Sequence, residues 1–164
     1  MLASFLGNVR RNHALEHATV SLLISKLGPD IRLVGRAVND GFYIYGDIPT
    51  EVLRQCAAEG LSRLKQGESF WAVTPLCGTN IATAGIIASM ASMAVSGSGK
   101  RGDRVPTAMI AGIVGVLLAQ PLGRLLQKHV TTSPDLADTE IVGIERRNNG
   151  GTHKIVTARS AAAA

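Results

Sequence analysis

A chain of 164 residues suits a single domain, and while its 46% hydrophobic content is ordinary, only 18% of its residues are charged. The net charge of +5 is thinly spread, with no basic stripe interleaved with aromatics, which argues against a nucleic-acid partner. Two cysteines, Cys56 and Cys77, imply no disulfide framework and fit free thiols in a reducing compartment.

The opening "MLASFLGNVRR" lacks a basic n-region, a full apolar h-region and a cleavage site, so it does not read as a secretory signal. Asn12 is a suitable N-cap for a helix from about His13 to Leu27, which "GPD" at Gly28 to Asp30 stops. "RLVGRAV", the turn "NDG" and "FYIYGD" then make a β-hairpin, in which Asn39, Asp40 and Gly41 tolerate positive φ. A second helix follows in "DIPTEVLRQCAAEGLSRLK", with Pro49 and Thr50 at its start and Glu51 in its first turn. Gly67 ends it, and "SFWAVTP" reads as a strand.

Ser69 to Gly99 holds no charge, nor does Val105 to Gly123, and the break "KRGDR" lies between them. These runs predict two transmembrane helices, about 79–96 and 105–126, rather than two core helices that so small a domain could hardly enclose. Small residues recur at four-residue spacing, as in Ala84/Ala88, Ala88/Ser92, Ala108/Gly112 and Ala111/Gly115. That spacing lets helix backbones approach closely in lipid, so an antiparallel hairpin is expected. Pro121 is positioned to kink the second span.

After "HVTTSPDLAD", the segment "TEIVGIERR-NNGG-THKIVTAR" signals another β-hairpin, with His153 expected as an exposed strand residue. The fold class is therefore α+β: a soluble α-β-β-α-β portion and a C-terminal β-hairpin, with a two-helix membrane hairpin inserted. The soluble part covers 1–76 and 130–159, the membrane hairpin 77–129, and 160–164 is a low-complexity tail. Entry into the bilayer through internal spans favours a soluble part held in the cytoplasm. Arg10, Arg11, Arg124 and Lys128 suit contact with lipid phosphates.

Two of the four histidines stand in "RNHALEHATV". At about 100° per residue, His13 and His17 lie about 40° apart on a helix, with Glu16 about 60° to the other side of His13. The face continues into Val20, Ile24 and Leu27, toward an apolar interior or the membrane surface. Burying two imidazoles and a carboxylate unpaired costs several kcal/mol, so they need partners. A divalent metal is one such partner, since histidines at i and i+4 offer two nitrogens to a tetrahedral ion. A hydrogen-bonded polar cluster with Arg10 or Arg11 is the other. Cys77 just before the first span and His129 just after the second end on one membrane face, where the first helix also lies. His13, His17, Cys77 and His129 can thus converge, and thiolate with imidazole is normal zinc chemistry. Taken singly, Cys77 suits a buried apolar position and His129 a helix C-terminus.

The order H-x-x-E-H resembles the signature of inverzincin peptidases over these five residues. That resemblance implies zinc on His13 and His17, with Glu16 as general base. It also implies a third, acidic ligand from a downstream helix, for which Glu51 and Glu59 are the nearest counterparts, at a shorter separation than the pattern expects. By contrast, "GSGKR" at Gly97 to Arg101 is rejected as a phosphate-binding loop. Ala94 stands where its first glycine belongs, and Arg101 follows Lys100 instead of Ser or Thr.

"NHALEHATV", "GFYIYGDIPTE" and "PLCGTN", in that order before two spans, resemble an uncharacterised family of small bacterial membrane proteins of cyanobacteria and filamentous green phototrophs. The resemblance covers the chain to about His129 and implies a protein of the bacterial cytoplasmic membrane. Two functions compete. One is a zinc-dependent hydrolase at the membrane interface, its third ligand Cys77, His129 or Glu51. The other is a non-catalytic accessory or assembly subunit of a larger respiratory or photosynthetic complex, whose small-residue faces dock on partner helices. Pigment or haem ligation through His129 is a third.

Overall fold

The computed structural model describes residues 2–96, 103–147 and 151–160. The "GSGKR" segment, most of the "NNGG" turn and the terminal alanines lie outside the described residues. In chain order come α1 (Leu2–Leu27), β1 (Val34–Val38), β2 (Gly41–Tyr45), α2 (Thr50–Lys65), a 3-10 turn (Ser69–Ala72), α3 (Gly78–Ser96), α4 (Arg104–Leu126), a π-helical turn (Gln127–Thr131), β3 (Thr139–Arg147) and β4 (Thr152–Arg159). The chain divides into two compact units, Met1–Thr74 with Thr131–Ala164, and Pro75–Val130.

The first unit is α+β. Its four strands pair antiparallel in the order β1-β2-β4-β3, so the C-terminal hairpin docks on the N-terminal one through β4 and β2. Strand period two puts Phe42 and Ile44 of β2 on one face beside Ile155 and His153 of β4. These four side chains are buried and pack under α1 and α2, with Leu15, Leu23, Leu53 and Leu136 completing the core. The "NDG" turn forms where expected. Gly41 takes φ +143°, and a Cβ there would run into the Ile155 carbonyl, so only glycine permits this approach of β2 to β4. Gly60 of α2 similarly meets Ala18 of α1, where an added Cβ would stand 3.1 Å from the Ala18 Cβ.

Three local expectations are corrected. The first helix begins at Leu2, and Asn12 lies inside it instead of capping it. The Asn12 carboxamide donates to the Val38 and Asn39 carbonyls (2.8 and 3.1 Å) and accepts from the Thr157 hydroxyl (2.7 Å). These bonds satisfy the side chain across to the sheet, so it has no need to compete with the helix backbone. At the other end Gly28, at φ +96°, closes α1 as expected. "SFWAVTP" is no strand: Ser69–Ala72 forms a 3-10 turn. Trp71 donates from Nε1 to Glu68 (2.8 Å) and lies beneath the Arg63 guanidinium at 5.0 Å, contacts that override the β propensity of its aromatics. Finally, His153 is fully buried. Register places it opposite Ile44 on the inner face of the sheet, where its Nε2 meets the Thr50 hydroxyl at 3.0 Å.

The second unit is a helical hairpin. The pairs Asn80/Gly123, Ala88/Gly115 and Ser92/Gly112 meet across it, and their opposed numbering makes α3 and α4 antiparallel. The Ser92 hydroxyl donates to the Ala108 carbonyl at 2.9 Å. α4 runs unbroken through Pro121. Both helices are long and apolar enough to cross a membrane, and 11% of each apolar window is buried. A core helix would be mostly buried; here Ile81, Ile86, Met90, Ile110, Ile113 and Leu117 all stand exposed.

Candidate metal centre

The fourth and fifth turns of α1 bring His13, Glu16 and His17 together, because residues three and four apart share a helix face. The two imidazole rings stand edge to face, with centroids 4.3 Å apart and planes 61° apart. Each is oriented by a main-chain carbonyl: His13 Nδ1 lies 3.0 Å from the Thr131 oxygen, and His17 Nδ1 lies 2.7 Å from that of Ala72. A carbonyl only accepts, so each Nδ1 carries the proton and each Nε2 is left as the basic nitrogen. This is the arrangement by which metal-ligating histidines are commonly held.

The segment that supplies the Thr131 carbonyl is fixed along α1. Ser133 N–H donates to the Arg10 carbonyl (3.0 Å), and the Arg10 guanidinium donates to the Thr132 carbonyl (3.1 Å). Glu16 is buried, with Oε2 3.7 Å from His13 Nε2. Its carboxyl group lies directly over Gly35 of β1.

His13 and His17 have the chemistry and helical spacing of two metal ligands, and their ligand nitrogens lie within 4.8 Å of one another. Cys77 lies in the short connector before α3 and is 6% exposed. The Thr79 main-chain N–H donates to its sulfur at 3.4 Å. Cys56 is different. It sits in the core of the sheet unit, where burial raises its thiol above the ordinary range against the pull of Lys26.

The family model for a domain of unknown function, DUF6391, matches residues 8–144. The chain belongs to the DUF6391 family. The DUF6391 chain is also 29% identical over 143 residues to an uncharacterised protein of the cyanobacterium Picosynechococcus, covering 76% of this chain and 66% of that one. It thus spans just under two thirds of that relative's length. No solved structure matches it.

Glu51 of this DUF6391 protein is exposed on α2, with Oε2 3.4 Å from Arg54 Nε, and it accepts from the Gln55 amide. Glu59 is held by Arg63 (2.7 Å) and Lys26 (3.1 Å), which keep its carboxyl below the usual range. His129 is exposed in the π-helical turn. Neither Glu51 nor Glu59 is grouped with His13 and His17. Sequence reasoning missed Gly35 and the carbonyls of Ala72 and Thr131, whose contribution is main-chain and carries no residue signature.

Proposed function

We propose that this DUF6391 protein is a membrane-spanning zinc protein in which His13, His17 and Cys77 are the ligands and Glu16 is the base of a hydrolytic site. The observation that carries the reading is the pair of carbonyl bonds at Nδ1, which leaves both Nε2 atoms as lone-pair donors one helical turn apart. Two imidazoles and a thiolate are a borderline-soft set that suits zinc. The H-x-x-E-H order supports a hydrolytic role by resemblance to inverzincins, with a thiolate standing where their third, acidic ligand would be.

When bound, zinc supplies a Lewis acid that acidifies water and polarises carbonyl groups. The chain's own contribution is orientation and proton handling. Thr131 and Ala72 fix the rings, and Glu16, confined between His13 and Gly35, accepts a proton at its carboxylate. The exposed aliphatic faces of α3 and α4 match lipid, and the small residues are used within the hairpin. Substrates are then peptides or lipid esters beside the cytoplasmic membrane of a bacterium, with the sheet unit in the cytoplasm.

Metal analysis of the full chain in detergent tests the reading. Stoichiometric zinc is expected in the wild type and in Glu16→Gln, and its loss in His17→Ala and Cys77→Ser. Hydrolysis of membrane-adjacent ester or peptide substrates should vanish in Glu16→Gln while zinc stays. Two imidazoles and a thiolate also make blue-copper sites, which add a weak axial thioether. Stoichiometric copper with intense visible absorption would overturn zinc, and metal-free protein would end the enzymatic reading.

A further inference from the structure

A second feature of the sheet unit lies apart from the histidines. The N-terminal half of α1, the turn between β1 and β2, and the ends of β3 and β4 enclose a cleft of about 170 Å³. Asn8, Arg11, Asn39, Thr139, Thr157 and Arg159 are among its lining residues. Most of these polar groups already have partners. The Asn8 amide donates to Asn39 Oδ1 (3.2 Å), the Thr157 hydroxyl donates to Asn12 (2.7 Å), and Arg159 Nε donates to Asp138 (2.7 Å). Thr139 is the exception. It is 3% exposed, and its hydroxyl has no hydrogen-bond partner among the described residues. A buried hydroxyl left unpaired costs about 1–3 kcal/mol, which a ligand accepting from it would recover.

We propose that this cleft binds a phosphate group, as a small phosphate ester or a phospholipid headgroup, through Arg11, Arg159 and the Thr139 hydroxyl. The local charge favours an anion. Asp40 lines the cleft but is paired with Lys154, Asp138 is paired with Arg159, and Arg11 adds a further positive charge. Arg11 lines the cleft and donates from Nε to the Asp135 carbonyl at 3.0 Å, a bond that does not use its two terminal amino groups, which are donors of the kind an oxyanion takes. Arg159 uses Nε and one amino group on Asp138 and keeps the second. The volume lies below the roughly 300 Å³ at which drug-sized pockets begin, so it suits a phosphate with a short alcohol and excludes a nucleotide.

The test uses the full chain in phospholipid-free detergent and titrates inorganic phosphate and glycerol phosphate, followed by phosphorus NMR and thermal shift. Saturable binding is expected, weakened about ten-fold or more in Arg11→Gln and in Thr139→Val, and largely retained in Arg11→Lys. Arg54→Gln, on α2 and outside the cleft, should bind as the wild type does. Melting of each variant without phosphate separates lost binding from lost folding. If nanodiscs of phosphatidylglycerol, but not of phosphatidylcholine, abolish glycerol phosphate binding, the occupant is the lipid headgroup; if neither does, it is the free ester. No saturable binding at about 10 mM phosphate, or equal binding in Arg11→Gln and Thr139→Val, overturns the proposal.

Discussion

Gly35 of β1 lies directly beneath the Glu16 carboxyl group, so close that a Cβ at residue 35 would overlap the carboxylate itself. The strand thus leaves a one-residue gap in its wall, and the glutamate fills it. Gly35→Ala should displace Glu16 and destabilise the fold by about 1–3 kcal/mol, the usual cost of overpacking. Removing the obstacle should cancel that penalty. In a double-mutant cycle with Glu16→Ala, Gly35→Ala should cost much less than it does alone. Additive losses in thermal melts would mean that the two residues do not meet as described.

His153 makes stability pH-dependent in a definite direction. Burial, then the nearby positive charge of Arg146, push its imidazole below the ordinary 6.5, with Asp47 opposing. On acidification the unfolded chain therefore takes up the proton first. This contribution is intact at neutral pH and is lost progressively as pH falls through about 6.5 toward the folded-state value. Melting temperature should drop between about pH 7 and pH 5, and His153→Gln should flatten that slope while lowering stability at neutral pH. Equal slopes in the two proteins would refute it.

How far these features could be read in advance depends on where their causes lie. The "NDG" hairpin was legible because Gly41 answers a local need for positive φ, and the two long apolar helices because charge-free runs of that length form few other structures. Asn12 and Trp71 misled because their partners, Thr157 and Arg63, are brought to them only by the tertiary fold. For His153, an alternating strand reveals two faces but not which one is inside; pairing with Ile44 decides it. At the candidate metal site, the H-x-x-E-H spacing was visible, and Cys77 was one option among several. The carbonyls that orient the rings were not, since every residue has one.

Metal removal should separate the two cysteines. If zinc rests on Cys77, a chelator should make that thiol react with an alkylating reagent, while Cys56 stays protected until the domain unfolds. Cys56 is sealed in the core and its raised thiol pKa leaves little thiolate at neutral pH, so its protection should not depend on metal. Mass spectrometry of labelled peptides reads both sites at once. Labelling of Cys77 at the same rate with and without chelator would count against a zinc–thiolate bond.

The helical hairpin offers a test within one residue type. A Cβ at Gly115 of α4 would stand 2.9 Å from the Ala88 Cα of α3, a backbone atom that cannot swing aside. Gly85 of α3 has open space at the same position, with nothing within 4 Å. Gly115→Val should force the helices apart and destabilise the hairpin by about 1–3 kcal/mol. Gly85→Ala should be neutral or should stabilise by up to about 1 kcal/mol, because it removes a flexible residue from a helix interior without creating a clash. Thermal melts of both variants in one detergent discriminate, since close packing predicts opposite signs and a loose pair of helices predicts similar, small changes.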